Sequence, residues 1–201
     1  MATIGQPYPV RFSVDYPDRD LDRLSSFLRI LWVIPIGIVF SVVGGSGKVA
    51  ASGGILVLAP LLMILFRQKY PRWWFDWNLE LVRFGARLGV YLSLMDDRYP
   101  STDEGQSVHY DIDYPTLPGG LNRWLPLVKW LLAIPHYIVL FFLVIGAVFA
   151  VIFAWFAILF TGRYPRGLFD YVEGVMRWSN RVSGYAFLLV TDRYPPFSLT
   201  A

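Results

Sequence analysis

Cysteine is absent from the chain, which excludes a disulfide framework, a thiolate nucleophile and any cysteine-ligated zinc or iron–sulfur centre. The redox compartment is left open. There are two histidines, His109 in an extended segment and His136 in an apolar run, so no paired-histidine metal motif exists. Neither a GxSxG elbow nor a phosphate loop is present. The run Gly44-Gly45-Ser46-Gly47-Lys48 lacks the GxxxxGK[ST] spacing and reads as a flexible turn. Charged residues are scarce, at 16%, which excludes a coiled coil, and the abundance of apolar side chains excludes intrinsic disorder. No aspartate or glutamate interrupts two long apolar stretches, Ile30 to Phe66 and Trp130 to Phe160.

What is present in excess is apolar surface: 55% of residues are hydrophobic and 17% aromatic, more than an ordinary soluble domain carries. One membrane-spanning helix takes about 20 residues, so each stretch is too long for one span and fits a helical hairpin. The sequence therefore predicts a mainly α, integral membrane fold with four transmembrane helices in two hairpins, at 28–66 and 125–160. No cleavable signal is expected, because the first 23 residues are polar and carry four aspartates. Of 18 lysines and arginines, only Lys48 lies at a hairpin tip. The positive-inside rule then predicts a multi-pass protein of the inner membrane with both termini cytoplasmic.

Ordered motifs recur along the chain. Val10-Arg-Phe-Ser-Val-Asp-Tyr-Pro17 matches Val108-His-Tyr-Asp-Ile-Asp-Tyr-Pro115, and Arg29 through Pro35 matches Lys129 through Pro135. Tyr70-Pro-Arg-Trp-Trp-Phe-Asp76 matches Tyr164-Pro-Arg-Gly-Leu-Phe-Asp170, Asp97-Arg-Tyr-Pro100 matches Asp192-Arg-Tyr-Pro195, and Arg83 and Arg87 match Arg177 and Arg181. The offsets stay between 94 and 100 residues, which predicts two tandem units, 8–104 and 106–201, related by an internal two-fold pseudo-repeat. Each unit reads as a strand, a hairpin, an amphipathic helix (74–90 or 168–183) and a second strand. Alternation over Val10 to Tyr16 and Val108 to Tyr114 supports the first strands, and Tyr91 to Asp96 and Tyr185 to Val190 supply the second, making a small cytoplasmic sheet. The amphipathic helices are expected at the membrane interface, with Trp73, Trp74 and Trp77 at headgroup depth.

This ordered pattern, YPRWWFD and DRYP followed by YPRGLFD and DRYP, resembles the bacterial membrane family catalogued as domain of unknown function 4389, over roughly residues 8 to 197. The resemblance implies a prokaryotic integral membrane protein and brings no activity, cofactor or catalytic residue with it.

The remaining polar groups have bland readings beside functional ones. Acidic clusters at Asp15, Asp18, Asp20 and Asp22, at Asp96, Asp97, Asp103 and Glu104, and at Asp111 and Asp113 lack calcium-loop spacing and read as solvated turns rather than a cation site. Lys129 and His136 lie seven apart on one helical face, with Arg29 in the position equivalent to Lys129. Snorkelling anchors are preferred to a transport site. Pro35, Pro60 and Pro135 are candidate kinks. The candidate interface or lipid contacts are therefore Arg29, Lys129, His136, Trp73, Trp74, Trp77, Arg83, Arg87, Arg177 and Arg181, with no catalytic, cofactor or metal residue. The leading expectation is a non-enzymatic structural or accessory subunit of a membrane assembly. A membrane-shaping or lipid-binding hairpin protein and a small transporter or channel are the rivals. The expected partners are the bilayer, other membrane subunits or further copies of the chain, and not nucleic acid.

Overall fold

The structure, a computed structural model, describes residues 7–43, 59–102, 104–115 and 121–200. Its elements are β1 (Val10–Val14), α1 (Arg23–Phe27), α2 (Arg29–Val43), a π-helical turn (Met63–Arg67), α3 (Arg72–Leu92), β2 (Val108–Ile112), α4 (Pro126–Leu132), α5 (Ile134–Thr161) and α6 (Arg166–Ala186).

The two strands pair antiparallel with Phe12 opposite Tyr110. Val10, Phe12 and Val14 are buried while Arg11 and Ser13 face outward, the period-2 alternation of a half-covered ribbon. A two-stranded ribbon has two open edges, and an unpaired edge invites association. Here arginines cover them. Arg177 Nε on α6 donates to Phe12 O at 2.9 Å and Arg83 Nε on α3 donates to Tyr110 O at 2.9 Å. Glu173 accepts from the Val14 amide at 3.2 Å. The long amphipathic helices thus form a middle layer, with α6 against β1 and α3 against β2. On their other sides lie the apolar helices, α5 against α6 and α2 against α3.

The two halves of the chain interlock. Tyr16 Oη donates to Tyr164 O, and Tyr114 Oη donates to Tyr70 O. Tyr16 meets Phe169 edge-on at 5.0 Å, and Tyr114 meets Phe75 at 5.1 Å. Arg166 stands over the Tyr16 ring and Arg72 over the Tyr114 ring. In every pair the strand segment of one half grips the helix start of the other.

Two expectations are corrected. Four transmembrane helices are not found: among the described residues one helix, α5, is long and apolar enough to cross a membrane. The segment 125–160 is not a hairpin, because α5 runs unbroken through Gly146. That glycine is a packing site: a Cβ there would lie 2.5 Å from the Tyr171 hydroxyl, which donates to Leu143 O. In the first stretch α2 has 15 described residues, about 22 Å at 1.5 Å rise, shorter than a crossing helix. The tip sequences Gly44 to Lys48 and Gly53-Gly54 lie outside the described residues, as does Asp103.

The second correction concerns the sheet, which has two strands rather than four among the described residues. Tyr91 and Leu92 belong to α3, and Tyr185 and Ala186 to α6. After α3, the Leu94 amide bonds to Tyr91 O and the Met95 amide to Val90 O, the Schellman pattern that ends a helix. The left-handed residue is Leu94 (φ 63°), and Leu189 (φ 57°) takes the same conformation after α6. A β-carbon costs about 1–2 kcal/mol in that conformation. Both leucines are buried, at 4% and 0% exposure, so core packing holds them there.

Candidate functional site

The turns after α3 and α6 create the most distinctive chemistry of the chain, two buried cation sites. Arg29 at the start of α2 donates through Nη1 to Tyr91 O at 2.9 Å and to Asp96 O, with its guanidinium 4.0 Å over the Tyr91 ring. Lys129 in α4 donates to Thr191 O at 2.8 Å, pairs with Asp192 at 2.7 Å and lies 5.3 Å from the centre of the Tyr185 ring. Burial pulls the Lys129 ammonium below its ordinary value, and Asp192 opposes the shift. Both side chains are enclosed, Arg29 at 3% and Lys129 at 0% exposure. They fasten the start of an apolar helix to the end of an amphipathic one. The acids near them also hold loop amides. Asp97 accepts from the Asp22 amide, and Asp192 from the Asn122 amide.

His136 is enclosed in α5, with Phe197 stacked on it at 4.0 Å. Its Nδ1 accepts from Trp178 Nε1 at 3.1 Å, which places the proton of the neutral ring on Nε2. Lys129 and His136 therefore share an end of the α4–α5 pair, and each has its own internal partners.

Four arginines of the amphipathic helices, Arg83, Arg87, Arg177 and Arg181, are tied to backbone. Besides the sheet edges, Arg87 donates to Ser101 O at 3.0 Å, Arg177 to Leu199 O at 2.9 Å, and Arg181 to Thr200 O at 2.9 Å. Trp73 and Trp77 are exposed, while Trp74 is half-buried between them. Several of the acids are answered by basic residues or a cap: Asp20 by Arg163, Asp97 by Arg19, Asp113 by Arg11 and Asp15 by His109, while Asp22 caps α1. Burial works to raise the Asp96 carboxyl, but hydrogen bonds from Ser107 and Arg98 outweigh it and hold the group below its usual range. Among the described residues no three acid or histidine side chains form a metal cluster.

The largest uncovered feature is the outer side of α5. Its buried stripe contains His136, Leu140, Ala150, Ala154 and Ile158, with Gly146 in the same stripe, whereas Phe142, Phe149, Phe153 and Phe160 are 66%, 57%, 65% and 79% exposed. Four phenylalanines at such exposure present roughly 500 Å² of apolar surface, comparable to the largest patch on a typical soluble monomer. On α2, Ile30, Leu31, Ile38 and Val42 are exposed as well. The sequence carried a signal for it, the absence of charge from both stretches, but not for which face would be left bare.

Known proteins add one finding. Residues 124–198 match the family model of a domain of unknown function, DUF4389. The matched segment runs through α4, α5, α6 and the turn holding Lys129, under half of the chain. No curated protein and no solved structure matches the chain.

Proposed function

We propose that this is a non-enzymatic structural protein of a bacterial inner membrane, a tandem duplication seated in one leaflet with the outer sides of α2 and α5 among acyl chains. One observation carries the reading: α5 turns glycine and alanine toward the protein and phenylalanine away from it. A helix in water does the reverse, while a helix solvated by lipid packs through small residues and shows bulky ones to the chains.

Placement within one leaflet is favoured over a crossing because α5 is tied to polar segments at both ends. Its first turn follows the Lys129–Asp192 pair, and at its far end Gly162 O accepts the Leu21 amide at 2.8 Å beside the Asp20–Arg163 pair. Alongside it runs α6, whose Arg166 and Asp170 side chains are 66% and 54% exposed. Charges in that position oppose burial of the pair in hydrocarbon. Exposed Trp73 and Trp77 suit the headgroup layer, and the sheet with both chain-terminal segments faces the cytoplasm. Such a slab shapes the leaflet it occupies or offers the surface to another membrane subunit.

The native chain has no cysteine, so single cysteines at Phe142, Phe153 and Phe160 can carry a fluorophore in vesicles of lipids brominated at different depths. Similar, shallow quenching at all three is expected. Deep quenching at Phe142 and Phe153, each about 8 Å along the axis from the middle of α5, with shallow quenching at Phe160 indicates a crossing helix. Absence of quenching at all three rejects the membrane reading.

A further inference from the structure

The two halves differ in how their paired arginines are neutralised. In the first half Arg83 is answered by two carboxylates, Glu80 at 2.6 Å and Asp111 at 2.9 Å. In the second half Arg177 has Glu173, and the position matching Asp111, 98 residues earlier, is Ser13. Ser13, Arg177 and Arg181 all line a cavity of about 690 Å³ beside the outer face of β1. Arg181 is 5% exposed, its Nε has no hydrogen-bond partner among the described residues, and Arg177 is close enough to repel its charge. A buried cation without an acid is costly unless an anion approaches it. Asp111 also borders the cavity but is held by Arg83, and Arg11 there is paired with Asp113. The rest of the lining is mixed: Tyr8, Val10, Tyr194 and Pro196 supply apolar surface, and His109, Arg193, Ser198 and Thr200 supply polar surface.

We infer that this cavity binds the phosphate group of a small phosphate ester, its oxygens standing toward Arg177 and Arg181 as the Asp111 carboxylate stands toward Arg83. Two guanidinium groups on one cavity suit the several oxygens of a phosphate better than a single carboxylate. The inference does not depend on the membrane reading, since the cavity lies at the sheet rather than on the outer side of α5. The phosphate has two sources, a soluble phosphate ester or a phospholipid headgroup.

The test uses the full chain in detergent micelles, with thermal unfolding followed against glycerol 3-phosphate, or against micelles doped with phosphatidylglycerol in place of phosphatidylcholine, at constant ionic strength. Ligand at tenfold its Kd raises Tm by about 3–6 °C for a chain of this size. Ser13→Asp supplies the missing carboxylate: it is expected to melt at or above the parent temperature without ligand and to lose the ligand response. Ser13→Asn, which adds bulk without charge, keeps the response. A shift with the soluble ester assigns that source, and one confined to phosphatidylglycerol assigns the headgroup. No saturable shift with either probe overturns the inference, as does an equal shift in Ser13→Asp or its loss in Ser13→Asn.

Discussion

Arg29 and Lys129 occupy corresponding places in the two halves, and the comparison separates what a fold demands from what it tolerates. Each reaches a backbone carbonyl 62 residues downstream, at Tyr91 or Thr191, and each sits by a tyrosine ring. Arg29 meets two carbonyls through Nη1, its Nε and Nη2 having no hydrogen-bond partner among the described residues, whereas Lys129 takes one carbonyl and the Asp192 carboxylate. A guanidinium spreads charge over a fork of donors and an ammonium concentrates it, so the lysine site needs an acid at its tip. The receptor, a helix end closed by a left-handed leucine, is common to both halves; the means of neutralising the cation is not.

The broadest way to challenge this comparison is alkaline pH. Burial pushes the phenols of Tyr8, Tyr70, Tyr110 and Tyr164 well above their ordinary value. Their folded-state pKa values exceed the unfolded value near 10, so their contribution is complete below about pH 10 and is lost as the pH rises further. Because the halves interlock, one cooperative unfolding transition is expected by circular dichroism above that pH, and two separate transitions would break the comparison.

Lys129→Met strands Asp192 and should cost about 3–5 kcal/mol, while Arg29→Met, which leaves carbonyls rather than a carboxylate, should cost about 1–3 kcal/mol. Denaturant unfolding in detergent measures both, and equal costs would contradict the distinction between the two sites. Gly184→Ala places a Cβ 2.6 Å from Val10 Cγ2, whereas at Gly89 the nearest atom, Met176 Cε, is 3.9 Å away. The first substitution is expected to destabilise by about 1–3 kcal/mol and the second to stabilise by about 0.4–1 kcal/mol, opposite signs that the same unfolding curves report. The finest distinction lies between Tyr70 and Tyr164. Tyr70 Oη donates to Leu188 O at 3.0 Å, and Tyr164 Oη has no partner among the described residues. Tyr70→Phe should lose about 1 kcal/mol and Tyr164→Phe almost nothing, and an equal loss would place a hidden partner on Tyr164.

The amphipathic helices were legible because their signal is local. Polar residues at helical spacing and a Tyr-Pro-Arg start place α3 and α6 within a few residues of 74–90 and 168–183. The strands β1 and β2 were legible through alternation for the same reason. The ends of the helices were not, because Leu94 and Leu189 stand where glycine ordinarily marks the left-handed residue, and Tyr91 to Asp96 then imitates a strand. A hairpin over 125–160 needs a turn, yet the run stays helical through Gly146, which makes room for the Tyr171 hydroxyl. Arg29, Lys129 and His136 stand out in the sequence as polar groups at the edge of apolar runs, but nothing near them in sequence reveals the side chains and turns that enclose them.

What the amino-acid order determined alone was the distribution of apolar and charged residues, the spacing of the recurring motifs and the type of the regular elements, because each depends on neighbours within one or two turns. Only the tertiary structure decided that α5 is a single helix, which of its sides stays bare, and that corresponding cations and arginines meet different partners. Those outcomes depend on residues 60 to 165 positions apart, such as Arg29 with Tyr91 and Arg177 with Phe12, and a local pattern carries no record of contacts made at that distance.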